Sequence, residues 1–206
     1  MQLQQELSTF YAKHGFGQDV GARALTAPVY TGCLLVPLPN IETRHRYLKY
    51  HDLHHLVTRY SVGRIGEGEV SAWELGTGSL LDSPTLAFMN LIALSTGLVL
   101  EPGRMWRAFV RGTGSKNLYS RIARSSVDAG KWRNVSEVRA SILEVRRPSR
   151  LGLAARSIEF CCYATAALII HALIAVPALV VRLITDIGLG YGFFQIIKPK
   201  KRNDLF

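Results

Sequence analysis

Residues 86–111 have the sequence LAFMNLIALSTGLVLEPGRMWRAFVR, in which two helix patterns follow each other. Residues 86–100 are almost wholly apolar but too short to cross a bilayer, which predicts a helix in the protein core. Pro102 is typical of a first helical turn and predicts the start of a second, amphipathic helix. Its inward residues are Trp106, Phe109 and Val110, and its outward residues are Arg104, Arg107 and Arg111.

Helical patterns also occur on both sides of this stretch. Residues 41–59 contain no Gly or Pro and follow Asn40, a common N-cap residue, so they are predicted to form one helix. A glycine-containing linker precedes a predicted helix at Glu67–Leu75, and apolar residues at helical spacing predict another at Val135–Val145. Residues 15–40 are rich in Gly and Pro and are expected to form loops with short helical pieces. Because no sustained period-two alternation occurs, the predicted fold class is all-α.

The composition indicates one folded domain with an excess of apolar residues. The chain has 206 residues, of which 48% are hydrophobic and 19% charged, and its mean hydropathy is +0.13. These values exclude a disordered chain and leave apolar surface for a lipid or a partner protein. The three cysteines, two of them adjacent, form no disulfide framework and indicate a reducing compartment. The N-terminal residues resemble neither a signal peptide nor a transit peptide, so we expect the chain to remain in the compartment that made it.

The whole net charge of +10 equals the balance of one segment, since the charges of the rest of the chain cancel. Residues 104–156 contain 13 Lys and Arg residues against 3 Asp and Glu residues. Such a segment attracts anionic lipid or a phosphate-bearing ligand, or it forms a solvated helix face. Nucleic acid is not expected as a partner, because no aromatic stacking platform accompanies the charge. The residues expected to meet anionic lipid headgroups or a substrate carboxylate are Arg104, Arg107, Arg111 and Lys116.

A second apolar run, residues 160–181, divides the chain into two parts. Its 22 residues carry no formal charge and are long enough to cross a bilayer. His171 and Pro177 interrupt the run, and basic residues flank both of its ends, so the charge pattern favours neither orientation. Spanning a membrane, lying in its interface, forming a hairpin and being buried in a homodimer all remain open. We expect a helical metal-binding domain at 1–156 and an apolar, membrane-associating segment at 157–206.

Residues 51–67 carry the clearest chemical signal in the chain. On a helix, His51, Asp52 and His55 lie within a wedge of about 100°, and the two imidazoles are one turn apart. Two histidines at this spacing bind zinc in H-E-x-x-H helices. A glycine-containing break then allows the next helix to fold back and offer Glu67. The four residues predict a mononuclear site for Zn²⁺, or for Fe²⁺, with room for water or a substrate.

The remaining histidines are expected to have other roles. His54 points away from the wedge and is expected to be a bystander or to support a ligand. The isolated histidines are expected to be structural, and these are His14, His45 and His171. An HD-type phosphohydrolase would also need an upstream histidine and a distant aspartate. The candidates have no matching context, and they are His14 or His45 with Asp128 or Asp186.

The same residues resemble a known family. The pattern H-D-x-x-H-x11-E, formed by His51, Asp52, His55 and Glu67, is similar to the signature of the ubiquinone-biosynthesis Coq-four family. Residues 50–58 and 66–75 resemble the bacterial members of that family. The segment WRAFVRG at 106–112, followed by Asn117-Leu-Tyr119, is similar to the second block of the family. The resemblance covers roughly residues 40–145.

This resemblance implies a membrane-associated helical protein that acts on polyprenylated benzoquinone precursors. The implied reaction is loss of the C1 carboxylate from a polyprenylated 4-hydroxybenzoate, with C1 hydroxylation in some members. The implied partners are isoprenoid lipid, the membrane surface and other quinone-biosynthesis enzymes, on the cytoplasmic side of the inner membrane as a peripheral or monotopic protein. A prenyl-lipid-binding scaffold that organises those enzymes is the alternative. The implied ligands of a metal, usually zinc, are His51, Asp52, His55 and Glu67.

Three glutamates follow the glycine break, and they are expected to have different roles. Glu67 and Glu69 point about 200° apart on one helix, so both cannot face one ion, and the family spacing selects Glu67. Glu74 lies on the same face as Glu67 but about 10 Å along the helix, so it is expected to orient a ligand or a water. Glu69 is expected to be a surface residue whose substitution is nearly silent.

Overall fold

In this computed structural model of the chain, the described residues are 2–14, 26–31, 34–39, 42–144 and 149–188. Within those ranges the protein is helical, which confirms the all-α prediction, apart from one two-stranded hairpin. The elements are α1 (Leu3–His14), β1 (Thr26–Thr31), β2 (Leu34–Pro39), α2 (Glu42–Thr58), α3 (Arg64–Gly76), a 3-10 helix (Ser79–Leu81), α4 (Pro84–Leu100), α5 (Pro102–Thr113), α6 (Arg121–Asp128), α7 (Val135–Ile142) and α8 (Arg150–Gly188). Helices α2, α3, α4, α5 and α7 lie within a few residues of their predicted bounds.

The hairpin corrects the prediction of loops with short helical pieces at residues 15–40. Strands β1 and β2 pair antiparallel from Thr26 opposite Pro39 to Thr31 opposite Leu34. Both strands are edges of a two-stranded sheet, so Pro28 and Pro37, which face each other, interrupt no central ladder. Such short strands with prolines show no clear alternation, which is why the sequence pattern missed them. The rest of that prediction, at 15–25, 32–33 and 40, lies outside the described residues.

Helix α3 is the centre of the core. Twelve of its thirteen residues are buried, and Glu67 is the exception. It packs between α4 and α5, and this packing encloses Trp73, Leu75 and Phe109 without exposed surface. Helix α2 contributes Leu53 and Val57 to the same core, so the two helices that carry the predicted metal ligands are held by its packing.

Glycines allow α3 and α5 to approach closely at their C-terminal ends. A Cβ atom on Gly112 would collide with the carbonyl group of Trp73, and one on Gly76 would collide with that of Phe109. The colliding groups are backbone atoms within two helices, so they cannot rotate away. This crossing therefore requires residues without a side chain at both positions.

We expect Gly112→Ala to destabilise the protein by about 1–3 kcal/mol, because overpacking a close helix crossing forces the helices apart. The matched control is Gly103→Ala in the same helix, where a Cβ atom would make only an ordinary contact with the Arg107 side chain. That control should be neutral or slightly stabilising, since Ala favours a helix over Gly. Chemical denaturation of both variants is the measurement. Equal stability of the two variants would contradict the close crossing.

Helix α8 is a single long helix that packs on the core mainly through its first half. Phe160 contacts Trp106 and Phe109, with ring centroids 5.2 and 5.1 Å apart. Further along, Ala167 is buried, and His171 lies 3.4 Å from the hydroxyl of Ser95 on α4. The helix runs without interruption through residues 160–181, so the hairpin alternative for that run is wrong.

Among the described side chains of α8, a large share is apolar and exposed. Its segment Gly152–Pro177 is long and apolar enough to cross a membrane. Only 6% of the most apolar 18-residue stretch of this segment is buried. The exposed apolar side chains of the helix include Ile169, Leu173, Val176, Leu179 and Ile184. A helix of this length and composition can associate with a membrane, whereas a core helix of a soluble protein would be mostly buried.

Candidate metal centre

Helices α2 and α3 bring three of the four predicted ligands together. His51 and His55 lie one turn apart on α2, with ring centroids 4.9 Å apart and the rings nearly perpendicular. After α2 the chain turns at Arg59, which has a φ of 66°, and α3 begins at Arg64. Because α3 folds back in this way, Glu67 in its first turn faces both imidazoles.

The ligand atoms of these residues converge on one point. Nε2 of His51 lies 3.2 Å from Oε2 of Glu67, and Nε2 of His55 lies 3.3 Å from Oε1. One ligand atom from each of the three residues lies within 4.8 Å of the others. Two imidazole nitrogens and a carboxylate at such distances are the donor set that Zn²⁺ prefers.

The two imidazoles present the same nitrogen to this point. Nδ1 of His55 donates to the backbone carbonyl of Tyr60 at 3.1 Å, and a carbonyl can only accept. In a neutral ring Nε2 then carries the lone pair, and this buried atom has no hydrogen bond among the described residues. Nδ1 of His51 lies 2.9 Å from Oε1 of Glu74, which leaves its Nε2 on the side of Glu67. Nε2 of His55 makes no hydrogen bond within the described part of the chain yet lies 3.3 Å from Oε1 of Glu67, and a lone pair facing a carboxylate oxygen in this way fits a bound cation between them.

The electrostatic environment favours ionised carboxylates at this site. Burial would raise the pKa of Glu67, but His55 and His51 outweigh it and hold that pKa well below its ordinary value. Burial would likewise lower the pKa of His51, but the carboxylates of Glu74 and Glu67 outweigh it and raise that pKa. Ionised carboxylates at neutral pH are what a cation needs as ligands.

Asp52, the fourth predicted ligand, is buried beside the group formed by His51, His55 and Glu67 and is not one of its members. Its carboxylate accepts a hydrogen bond from the phenol of Tyr11 on α1, and burial raises its pKa. The ring of Phe10, also on α1, stacks on His55 with a centroid distance of 6.4 Å. Helix α1 therefore borders the centre, which no sequence pattern indicated.

His54 and Glu74 lie on the inner side of the centre. Nδ1 of His54 donates to Oε1 of Glu74 at 2.7 Å, and Nε2 accepts from the backbone N–H of Leu118 at 2.9 Å. Both nitrogens of His54 are thus used inside the protein, in keeping with its expected role away from the ligands. The hydroxyl of Tyr119 donates to the same oxygen of Glu74 at 2.6 Å. The sequence pattern indicated no role for Tyr119 at the centre.

Glu69 faces away from the centre, as the helix geometry predicts, but the expectation of a silent surface residue is wrong. It is buried on α3, where Arg104 of α5 reaches both of its oxygens at 2.9 and 2.8 Å. A residue that is solvated in an isolated helix becomes an ion-pair partner once α5 packs beside it. The guanidinium group of Arg104 is therefore paired with the carboxylate of Glu69.

Glu69→Gln is expected to lower the free energy of unfolding by about 1–3 kcal/mol, because it removes one charge of a well-aligned, partly buried ion pair. Thermal unfolding of the metal-free protein measures the effect. Glu137→Gln, on the exposed part of α7, is a control that retains an acceptor for its local backbone contact. If Glu69→Gln were no less stable than this control, Glu69 would behave as the surface residue first expected.

The basic residues singled out in the sequence divide into two groups. Besides Arg104, Arg111 has partners within the protein, and it contacts the exposed Glu144 at 2.9 Å and the carbonyl of Thr58 at 2.9 Å. Arg107 and Lys116 are exposed. Asp128, a candidate of the phosphohydrolase alternative, contacts Lys49 and Tyr50 instead of the histidines at the centre.

Comparisons of the chain with protein-family models, with curated proteins and with solved structures gave no match.

Proposed function

We propose that this protein is a metal-dependent enzyme that removes the C1 carboxylate of a polyprenylated 4-hydroxybenzoate at a membrane surface. The observation that carries the proposal is the convergence of Nε2 of His51, Nε2 of His55 and the carboxylate of Glu67. Their donor types suit Zn²⁺, and Fe²⁺ would suit an oxidative form of the reaction. A protein that only binds lipid has no need for such a centre.

The proposed reaction breaks the bond between C1 of the ring and the carboxyl carbon, and the electron pair stays on the ring. A metal ion held by His51, His55 and Glu67 would supply electrophilic stabilisation of the charge that develops as carbon dioxide leaves. In the simple decarboxylation C1 takes up a proton. Asp52 is a buried acid beside the ligands whose carboxylate accepts a hydrogen bond from Tyr11, and it is the group that we assign to deliver this proton. In the oxidative form C1 takes up a hydroxyl group, which requires an added oxidant such as dioxygen.

The exposed apolar surface of α8 supports a lipid-tailed substrate. The side chains of Leu168, Leu173 and Val176 are 46%, 69% and 58% exposed. Such side chains are stabilised by contact with acyl chains or a polyprenyl tail. A substrate with that tail resides in the bilayer, so an enzyme acting on it gains from binding the same membrane. The cytoplasmic face of the inner membrane, a homodimer and contacts with other quinone-biosynthesis enzymes are parts of this proposal.

The second candidate is a prenyl-lipid-binding scaffold without catalysis, which the apolar surface of α8 supports equally well. Detergent-purified protein, loaded with zinc or iron, separates the two when given a polyprenyl 4-hydroxybenzoate labelled in its carboxyl carbon. The enzyme releases labelled carbon dioxide, with dioxygen present for the iron form, and Glu67→Gln releases none. Metal-free protein that co-purifies with prenyl lipid, or loaded protein that binds the substrate without releasing label, would instead support the scaffold.

A further inference from the structure

Glu74 lies at the centre of a buried hydrogen-bond network behind the metal centre. Its side chain has no exposed surface, and one oxygen, Oε1, contacts three groups. These are Nδ1 of His51 at 2.9 Å, Nδ1 of His54 at 2.7 Å and the hydroxyl of Tyr119 at 2.6 Å. The contacts come from two other parts of the chain, so the position of the carboxylate is fixed from several directions.

The roles within this network follow from what each group can donate. Nε2 of His54 accepts from the N–H of Leu118, so in the neutral ring the proton of His54 is on Nδ1 and is donated to Glu74. The phenol of Tyr119 has one proton, and its short contact to a carboxylate makes it a second donor. Both contacts hold Oε1 in place against Nδ1 of His51.

Glu74 is also a buried carboxylate that needs a positive charge nearby. Glu74 has no Lys or Arg partner among the described residues, and its Oε2 is buried without a hydrogen bond. Burying a carboxylate in this way is costly unless a positive charge lies nearby. Without a metal ion a protonated His51 supplies that charge, and with a neutral His51 a divalent cation at its Nε2 supplies it.

We propose that Glu74 is the positioning residue of the metal centre, which, supported by His54 and Tyr119, keeps the proton of His51 on Nδ1 and directs Nε2 to the metal ion. This inference rests on the metal centre of the proposed function and adds an asymmetry to it. His51 is supported by a buried carboxylate, whereas His55 is supported by the backbone carbonyl of Tyr60. A carboxylate that accepts from a ligand histidine makes the ring a stronger donor to the metal.

The test is the affinity for Zn²⁺, measured by competition with a chromophoric chelator. Glu74→Gln should bind zinc about 10–100-fold more weakly than wild type, as is usual when such a supporting group is lost. Tyr119→Phe, which leaves Glu74 and His51 intact, should show a smaller loss. The matched control is Glu69→Gln, which alters another buried carboxylate on the same helix and should bind zinc as wild type does. Equal zinc affinity in Glu74→Gln and wild type would overturn the inference.

A second measurement on the wild-type protein does not depend on the folding of a variant. Nitrogen-15 NMR of the zinc-loaded protein should show His51 bound through Nε2 with its proton on Nδ1, and His54 should have the same tautomer with and without zinc. Zinc bound through Nδ1 of His51 would overturn the role of Glu74 even if decarboxylation were observed. Wild-type protein that binds no zinc would overturn the metal centre itself, so the two failures are distinguishable.

Discussion

Glu67→Gln, His51→Ala and His55→Ala should each lose nearly all bound metal and all decarboxylase activity. Each change removes one of three converging donors, and a site reduced to two ligands cannot hold Zn²⁺ in the four-coordinate geometry it prefers. Glu67→Gln is the most informative of the three, because an amide keeps the shape of the carboxylate while removing its charge. The measurement is metal content after dialysis, alongside release of labelled carbon dioxide.

Glu69→Gln is the control for this series, since Glu69 faces Arg104 on the other side of α3. It should keep its metal although it unfolds more easily than wild type. Loss of metal in Glu69→Gln with retention in Glu67→Gln would contradict the assignment of the ligands. Asp52→Asn tests the remaining predicted ligand, and retained metal with lost activity would place Asp52 in proton handling instead.

Replacing both Leu173 and Val176 on the exposed face of α8 by aspartate should release the protein from membranes. Leu173 and Val176 are 69% and 58% exposed and lie three residues apart, so they share one face of the helix. A charged residue in the middle of a membrane-embedded helix costs about 2.5–3.5 kcal/mol, which is about a hundredfold in partitioning for each substitution. Sedimentation with lipid vesicles, for wild type and for Leu173→Asp combined with Val176→Asp, measures the change.

The control for this experiment is Ile122→Asp on α6, which alters an apolar residue that is 80% exposed but lies outside α8. It should sediment with vesicles as wild type does. Wild-type protein that stays in the supernatant without detergent would contradict membrane association through α8. Release of the α6 variant to the same extent as the α8 variant would contradict it as well, because any exposed charge would then have that effect.

Much of the helical fold could be predicted from local patterns. Three local features set helix boundaries that the structure reproduces within a few residues. These are Pro102, the apolar run before it and the glycine-containing break before Glu67. The ligand triad was also accessible, because His51 and His55 are one helical turn apart and Glu67 follows sixteen residues after His51. The hairpin at Thr26–Thr31 and Leu34–Pro39 was missed because two short edge strands with prolines have no distinctive pattern.

The sequence by itself determined the properties that repeat along one element. These are the positions of the helices and the sets of residues that share a helix face. Tertiary structure decided which groups meet across elements. Tyr119 reaches Glu74 from 45 residues away, Arg104 reaches Glu69 from 35 residues away, and Tyr11 reaches Asp52 from a helix that no motif connected to the centre. The physical reason is that helix periodicity is set by local backbone geometry, whereas such contacts depend on how the packed core aligns the helices.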